Sequence, residues 1–372
     1  MQLFRPPFCP WPACIEHHRR KPGFRFRHHG FYSTRRRVVP RFLCLTCRRT
    51  FSRQTFSTSY YLKRPELLLP LAAALQAGAA LRQAARSLVC SHSTPARLAA
   101  RLGRHALLLH ARALASLRGR LAEPIVLDHF ETFEWSQDFP FGIATPVGSS
   151  SWFVYGLDPA PHARTGHRTE HQTRRRRSLP QRAACGGYRG STRRVLAALL
   201  PLVPEGRRLQ LVGDGHPAYD AVAGRHRRVR LHRFPNPKRG PRGSPRSPEA
   251  RARDHAMFAS DLLHALIRHT LAHHRRETIA FGRRLNALVE RLALMAVWRN
   301  FVKLRSERRP DPVTPAMQVG LATEVWDWRR VISRRLFPGR ELLSPVTARL
   351  YRREWTTPIY PRNTRHLSAH AY

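Results

Sequence analysis

The chain has 372 residues, and its 67 Lys and Arg outnumber its 23 Asp and Glu, which gives a formal net charge of +44. This length excludes a small disulfide-stapled module and allows two or three domains. So large a positive charge makes a compact body repel itself, so a polyanion is the expected partner, and nucleic acid is the commonest one.

The apolar stretches are too short for a membrane-spanning helix. The longest, residues 67–81, contains Pro70, Gln76 and Gly78, and it predicts a buried helix instead. The opening residues "MQLFRPPFCPWPAC" lack the apolar core and small-residue cleavage site of a signal peptide. We therefore expect a cytoplasmic, DNA-associated protein with reduced thiols.

Residues 1–65 carry fifteen Lys or Arg against one acid, with short aromatic and β-branched runs, and predict a small β-rich basic module. Four of the six cysteines lie in it as two pairs: Cys9 with Cys14, and Cys44 with Cys47. Two short-spaced pairs about thirty residues apart are typical of a zinc ribbon, in which four thiolates bind Zn²⁺. The alternative is a set of ordinary buried cysteines.

The first cysteine pair is spaced more widely than the common two-residue knuckle, so His17 and His18 are possible substitute ligands. In "RFLCLTCRRTFSRQTF" the metal would hold Arg48, Arg49 and Arg53 near one face, where they can contact DNA phosphates.

Residues 66–122 change to Ala, Leu and Arg with helical spacing. A polar turn at residues 91–93 separates two amphipathic stretches, which predicts a helix-turn-helix with Arg97 and Arg101 on the second, DNA-reading helix. An ordinary Ala-rich helical hairpin fits the same periodicity.

After Pro124 the pattern changes to strands. The segments "PIVLDHFETFEW", "FGIATPVG" and "SSWFVYGLD" predict a three-stranded meander, and "RLQLVGDG" a further buried strand. Residues 161–190 and the low-complexity residues 235–253 predict basic loops that bind flanking DNA, with a helix from Ser191 as N-cap between them. Residues 254–305 are expected to be helical, and the tail from residue 306 is mixed.

Two carboxylates stand at the ends of predicted buried strands: Asp128 after "IVL" and Asp214 after "LVG". An isolated charge in such a position must be paired, hydrogen-bonded or bound to metal. Oxygen ligands suit Mg²⁺, or Mn²⁺ in its place, and two such ions can catalyse phosphoryl transfer. The alternative for Asp214 is a simple Asp-Gly turn.

A site for two metal ions needs a third acid to complete it. The candidate is Asp261 in "DLLHALIRH", where His264 and Arg268 lie on the same helix face at i+3 and i+7. These side chains could bind metal, orient a hydroxyl and contact a phosphate. The alternatives are a helix cap at Asp261 and a solvated face for the other two. Competing third acids are Asp254, Glu277 and Glu290.

The order of "RFLCLTCRRTFS", a helix-turn-helix, "VLDHFETF", "VGDGHPAY" and "DLLHALIRHTLAHHRRETIAF" resembles the DDE transposases of bacterial insertion sequences over about residues 9–305. The resemblance implies a ribonuclease-H-like core in which three acids bind Mg²⁺ and catalyse DNA strand cleavage and strand transfer. It places the acids at Asp128, Asp214 and Asp261. The sequence departs from the family in having Asp instead of Glu as third acid, and His264 in place of the usual Asn.

The expected fold is therefore α/β: a ribonuclease-H-like mixed sheet with flanking helices, preceded by a zinc ribbon and a helix-turn-helix. The expected domains are residues 1–60, 61–122 and 123–305, followed by a C-terminal tail, 306–372. We expect a transposase that binds double-stranded DNA, both transposon ends and target, as a homo-oligomer. The alternatives are a non-catalytic DNA-binding regulator, an inactivated transposase copy and an RNA-binding basic protein.

Overall fold

A computed structural model of the chain describes residues 4–34, 38–163, 166–179, 186–238, 241, 243–308 and 312–355. Cys185 and parts of both predicted basic loops lie outside these residues, as do residues 356–372 of the predicted tail. Among the described residues, none of the helices combines the length and the apolar composition needed to cross a bilayer.

The N-terminal module is a three-stranded antiparallel sheet preceded by one short helix. Its elements are α1 (Ile15–His18), β1 (Phe26–Ser33), β2 (Val38–Cys44) and β3 (Thr50–Ser52). The module buries an aromatic cluster that includes Phe8, Phe42 and Phe56. This confirms a β-rich region at the N-terminus. Its core is small, so further stabilisation from a bound metal is expected.

Three helices follow: α2 (Leu68–Gln76), α3 (Leu81–Ser87) and α4 (Ser93–Ser116). The long α4 is buried on most sides and packs along a later helix, α9 (Leu285–Val297). Gly103 permits this approach, because a Cβ there would lie 2.4 Å from the carbonyl oxygen of Glu290. Helix α4 is thus a central core element rather than a free recognition helix over most of its length.

The middle of the chain forms a mixed sheet from interrupted strands. They are β4 (Ile125–Val126), β5 (His129–Phe133), β6 (Pro140–Ala144), β7 (Val147–Gly148), β8 (Asp158–Pro161), β9 (Leu209–Gly213) and β10 (Val229–Arg233). The strand formed by β4 and β5 is antiparallel to that formed by β6 and β7, and β6 is antiparallel to β8. On its other side, β4 is parallel to β9, which is parallel to β10.

The interruption between β4 and β5 is bridged, since the Thr145 N–H donates to the Asp128 carbonyl at 2.9 Å. The strands form two hydrogen-bonded sheets, in the orders β10-β9-β4-β7 and β5-β6-β8. The Thr145–Asp128 bond joins them, so β8, β6 with β7, β5 with β4, β9 and β10 follow one another. The first two strands of the predicted meander and the additional buried strand form. The third is wrong in position: in "SSWFVYGLD" Val154 makes only an isolated bridge to Val147, and the third strand is β8, which begins at the end of that segment. A parallel pair buried at the sheet centre explains the continuous apolar runs "IVL" and "LQLV".

Four helices pack on or near this sheet: α5 (Glu170–Arg177), α6 (Gly187–Leu199), α7 (Pro217–Ala223) and α8 (Pro248–Thr270). The prediction of a continuous loop over 161–190 is wrong at α5, where Thr169 caps a helix. Ser191 is not an N-cap, because α6 begins at Gly187 and the buried Ser191 hydroxyl donates to the Asp158 carbonyl. Helix α8 begins at Pro248, earlier than predicted, with Ser247 as its N-cap.

The region after α9 contains α10 (Pro315–Gln318), α11 (Trp328–Ile332) and α12 (Pro345–Tyr351). It folds back onto the N-terminal module: Phe337 joins the aromatic cluster of Phe8 and Phe56. The Arg335 guanidinium donates to the Thr55 carbonyl at 3.0 Å. The described part of the predicted tail is therefore an integral part of the fold.

Candidate functional site

The four N-terminal cysteines converge on one point. Cys9 and Cys14 flank the loop before α1, Cys44 ends β2, and Cys47 lies in the turn before β3. Their sulfur atoms all lie within 4.8 Å of one another, with Cys9 to Cys47 at 3.6 Å and Cys14 to Cys44 at 3.9 Å. Zn–S bonds of about 2.3 Å in a tetrahedron place sulfurs roughly 3.8 Å apart, so the cluster could hold zinc.

The thiol surroundings fit a metal that takes thiolates. Burial raises the pKa of Cys9 and of Cys14, so a cation is needed to hold both as thiolates. His17 and His18 are not part of the group. The His17 Nδ1 is 2.9 Å from the Cys9 carbonyl oxygen, and the His18 Nε2 is 2.8 Å from the Pro12 carbonyl oxygen. The substitute-ligand hypothesis is therefore unnecessary.

The three arginines that the sequence places near the cysteines are all exposed. Arg48 follows Cys47 directly with a positive φ of 59°, Arg49 lies 3.5 Å from the Trp11 ring centroid, and Arg53 lies 5.5 Å from that of Phe4. Their charges are thus presented on the surface of the N-terminal module, which is called the ribbon below only as a short name for residues 4–56.

The arginines predicted for a DNA-reading helix have different environments. Arg97 is exposed on the first turns of α4. Arg101 is only 5% exposed, and its guanidinium donates to the Thr58 and Tyr60 carbonyls at 3.0 and 2.6 Å. The prediction that Arg101 contacts DNA is wrong, because its side chain is used inside the protein to hold the segment after the ribbon.

The two acids predicted at strand ends occupy equivalent positions on neighbouring parallel strands. Val126 of β4 pairs with Val212 of β9, and the Leu127 N–H donates to the Val212 carbonyl at 2.8 Å. Asp128 and Asp214 each lie two residues beyond that pair, and parallel strands run about 4.8 Å apart. The carboxyl ends of the two strands therefore place both acids at one edge of the sheet.

The pKa of Asp128 reports the surroundings of this edge. Burial, followed by repulsion from Asp214 and from Asp261, raises the pKa of Asp128 to about 7, although the His129 N–H donates to its carboxylate at 2.7 Å. The charge of Asp261 on α8 is thus near enough to Asp128 to contribute to this shift. A site in which carboxylates repel one another is one that a divalent cation would stabilise.

Asp261 itself is paired with a cation from its own helix. The Arg253 guanidinium forms an ion pair with Asp261, with Nη2 3.4 Å from Oδ1. This pair lies beside the acidic edge, because the Arg253 charge also lowers the pKa of Asp128. Metal binding by Asp261 would require that ion pair to open.

His264 is the member of the α8 set that lies closest to Asp128. Its Nδ1 is 3.7 Å from the Asp128 carboxylate, and its Nε2 is 2.9 Å from the Thr145 hydroxyl. Burial, with Arg268 nearby, lowers the pKa of His264 to about 3, so the ring is neutral near pH 7. A neutral imidazole here can orient a carboxylate or a hydroxyl without adding charge.

Arg268 turns toward β5. Its guanidinium donates to the Glu131 and His274 carbonyls at 3.2 and 3.1 Å and lies 4.6 Å from the Phe130 ring centroid. These contacts hold the end of α8 against β5, the strand that begins directly after Asp128. Arg268 therefore positions α8, and a phosphate contact would compete with its two carbonyl partners.

The competing third acids are placed elsewhere or are otherwise engaged. Glu290 is buried in ion pairs with Arg353 and Arg104, and Glu277 is an exposed residue after α8. Asp254 pairs with Arg246 and Arg253. Among the acids, Asp214 and Asp261 are the main contributors to the raised pKa of Asp128.

Sequence reasoning missed Glu131, a fourth carboxylate near the edge. Its side chain is half exposed, so partial burial, with the Asp128 charge, raises the pKa of Glu131 above its usual value, and His162 lies 3.5 Å from its carboxylate. It also missed the polar support behind Asp128, in which His129 contacts the Tyr219 hydroxyl at 2.8 Å and Ser191 at 3.2 Å. The second acid in "VLDHFETF" was the available signal for Glu131.

Within the described ranges, the cysteines form the one group of potential ligands that meets within 4.8 Å, so the acids are less tightly gathered. Comparisons with known protein families, with curated proteins and with solved structures gave no match to this chain. The two sites are accordingly interpreted from their own geometry and chemistry.

Proposed function

We propose that the protein is a DNA transposase of the DDE type that catalyses metal-dependent strand cleavage and strand transfer with Asp128, Asp214 and Asp261. The observation that carries the proposal is the register of β4 and β9, which puts Asp128 and Asp214 at equivalent positions where two parallel strands end. The coupling of Asp261 to Asp128 adds a third acid from α8.

The order of the strands supports a ribonuclease-H-like core. A three-strand antiparallel meander continues into two parallel strands, with α6 between β8 and β9 and α7 between β9 and β10. The proposed core would place the acids on the central strand, on the adjacent parallel strand and on the helix after the last strand. The resemblance of the sequence motifs to DDE transposases implies the same assignment.

The donor set fits hard divalent cations such as Mg²⁺ or Mn²⁺, because it consists of carboxylate oxygens whose mutual repulsion raises the pKa of Asp128. When bound, such ions would activate an attacking hydroxyl and offset the charge that develops on the leaving oxygen. Asp128 and Asp214 would be the fixed ligands. Asp261 would join them as Arg253 moves to a DNA phosphate, while His264 orients the reacting hydroxyl.

The remaining charge would bind DNA. Arg48, Arg49 and Arg53 on the ribbon and Arg97 on α4 are exposed and suited to phosphates. The proposed substrate is double-stranded DNA, both the element ends and the target, and joining two ends calls for a homo-oligomer. The cysteine cluster would hold Zn²⁺ to fold the ribbon.

The test is a cleavage assay on a plasmid that carries the chromosomal DNA flanking the coding sequence on both sides. Wild type should nick or cut this DNA in Mg²⁺ or Mn²⁺ but not in EDTA, and Asp128→Asn and Asp214→Asn should abolish cutting while leaving binding intact. Asp220→Asn is the matched control, because Asp220 lies on α7 in an exposed ion pair with Arg233. Equal cutting by wild type and both site variants would overturn the proposal.

One observation favours a second function. The Arg253 ion pair occupies Asp261, and the acids do not meet within 4.8 Å as the cysteines do. A non-catalytic DNA-binding regulator, or an inactivated transposase copy, would show this arrangement permanently. It would bind the flanking DNA with no metal-dependent cutting by any variant.

A further inference from the structure

A large basic groove separates the ribbon from the chain that leads into α2. It encloses about 1030 Å³, and one wall comes from β2, β3 and the turn after them, while the other is the segment 59–65. The residues of the groove used below are Tyr32, Arg41, Gln54, Tyr60, Tyr61 and Lys63. None of the described residues that line it is Asp or Glu. The groove therefore favours an anion, and its size exceeds that of a single base.

The wall 59–65 presents an aromatic ring to solvent. Tyr61 is 73% exposed and has a φ of +59°, a left-handed conformation that is costly for a non-glycine residue with a large side chain. Its ring meets that of Tyr60 at 4.5 Å in an edge arrangement. The exposed part of this ring offers an apolar face to a planar ligand.

The protein core fixes the backbone beneath this ring. Buried Arg101 donates to the Thr58 and Tyr60 carbonyls, and the Thr58 hydroxyl donates to the Ile332 carbonyl at 2.6 Å. The Arg335 guanidinium lies 5.0 Å from the Tyr60 ring centroid. The backbone next to Tyr61 is thus fixed by contacts with three other parts of the chain. Little conformational entropy of this segment would therefore be lost when a planar ligand stacks on the ring.

Cationic and polar groups flank the tyrosines. Arg41 and Lys63 have no ion-pair partner among the described residues, and they stand on opposite walls. On the ribbon wall, the Tyr32 hydroxyl donates to Gln54 Oε1 at 3.1 Å. Aromatic rings beside unpaired cations form the surface that single-stranded nucleic acid uses, with bases stacked on rings and phosphates on cations.

We propose that this groove binds single-stranded DNA, with an unpaired base stacked on Tyr61 and the adjoining phosphates on Arg41 and Lys63. The inference rests on the proposed function for the choice of DNA as the polyanion. A duplex keeps its bases stacked inside, so it cannot use the Tyr61 face. The groove would hold bases that become unpaired next to a cleaved end.

The experiment measures the affinity of full-length, zinc-loaded protein for a labelled oligothymidylate, a DNA duplex and an oligouridylate of equal length. Tyr61→Ala should weaken oligothymidylate binding by about tenfold, the loss of one stacked base, and change duplex binding by less than about twofold. Tyr61→Phe should retain wild-type affinity because it keeps the ring. The matched control is Phe31→Ala on β1, which removes another exposed ring, 67% accessible, from outside the groove lining.

Charge is tested separately. Arg41→Gln and Lys63→Gln should each reduce the salt dependence of oligothymidylate binding by roughly 0.7 in the logarithmic slope, as expected for one lost phosphate contact. Unchanged oligothymidylate affinity in Tyr61→Ala, or an equal loss for duplex, would overturn the proposal. Tighter Tyr61-dependent binding of oligouridylate would also overturn it, in favour of RNA as the occupant.

The outcomes separate this inference from the proposed function. If wild type never cuts DNA but Tyr61-dependent oligothymidylate binding is present, the transposase proposal fails and the groove proposal stands. If cutting depends on Asp128 and Asp214 while Tyr61→Ala binds oligothymidylate like wild type, the groove proposal fails alone.

Discussion

The two candidate metal sites of this protein differ in how closely their ligands are gathered and in how open each site is. The four cysteines are gathered within 4.8 Å by a single small module, with sulfur spacings that already match a tetrahedral ion. The acidic edge draws Asp128, Asp214 and Asp261 from three elements distant in the chain, and Arg253 neutralises one of them. A closed thiol site suits a structural ion, whereas an open carboxylate site leaves positions for phosphate and water.

Substitutions at the two sites should change the free energy of unfolding in opposite directions. Replacing a cysteine removes a ligand that the small module needs in order to fold. Replacing an acid at the edge relieves repulsion that the fold tolerates. Under the proposed function, stability and activity would be aligned at the first site and opposed at the second, as is typical of catalytic charges.

The largest expected effect is at the cysteines. Cys44→Ser should lose bound zinc and unfold the ribbon, because structural zinc contributes about 10 kcal/mol or more to the folding of such modules. Metal analysis and hydrogen exchange of residues 9–56 would measure both losses. Cys90→Ser is the control, since Cys90 lies outside the cluster, and it should retain zinc. If the Cys44→Ser ribbon were folded without zinc, the cysteine site would not be needed for folding, and the proposed difference between the two sites would be wrong.

Asp128→Asn should change stability in the other direction. The pKa of Asp128 is about 7 in the folded protein against 3.8 in the unfolded chain, so the cost of its charge grows as pH rises from about 4 to 7. The side chain is 21% exposed, and the shift corresponds to about 4 kcal/mol. In metal-free urea unfolding, Asp128→Asn should therefore be more stable than wild type at about pH 8 and nearly equal at about pH 4.

Divalent metal should reverse that advantage. Added Mg²⁺ is expected to stabilise wild type but hardly affect Asp128→Asn, because binding to the native state requires the carboxylate. Asp220→Asn should respond to metal as wild type does. A destabilised Asp128→Asn at about pH 8 would mean that the carboxylate is held by favourable contacts rather than strained by its neighbours.

The smallest expected effect is a difference in cleavage rate between variants of the two acids that pair with Arg253. Asp261→Ala should reduce metal-dependent cleavage by on the order of 100-fold, because the third ligand is lost. Asp254→Ala removes the other carboxylate near Arg253 and should leave cleavage within about threefold of wild type. Initial rates under saturating DNA would measure both. Comparable losses in the two variants would assign the effect to Arg253 rather than to a metal ligand.

Much of this architecture could be predicted from local patterns. The spacing of the cysteine pairs indicates a four-thiol cluster, and apolar runs ending in Asp128 and Asp214 indicate buried strands with carboxylates at their ends. Both features depend on residues close together in sequence. Two neighbouring parallel strands have their carboxyl ends at the same edge of a sheet. Once the strands are taken to be parallel neighbours, the closeness of the two acids follows from the sequence.

Other features depend on contacts between distant segments. Arg101 has helical periodicity like any surface arginine, and its burial is decided by carbonyl groups more than forty residues earlier in the chain. Ser191 looks like a helix cap, but the Gly-rich residues before it continue the helix to Gly187. The role of Arg268 likewise depends on Glu131 and His274 carbonyls that only the folded chain brings near.

The packing of Phe337 into the aromatic cluster of the ribbon has a consequence for synthesis of the protein. The ring of Phe337, which joins the core of this module, is synthesised about 280 residues after Phe56. At roughly 5–20 residues per second, the module waits tens of seconds with that position open. During this interval, zinc would be the main stabilising contact that the nascent ribbon has.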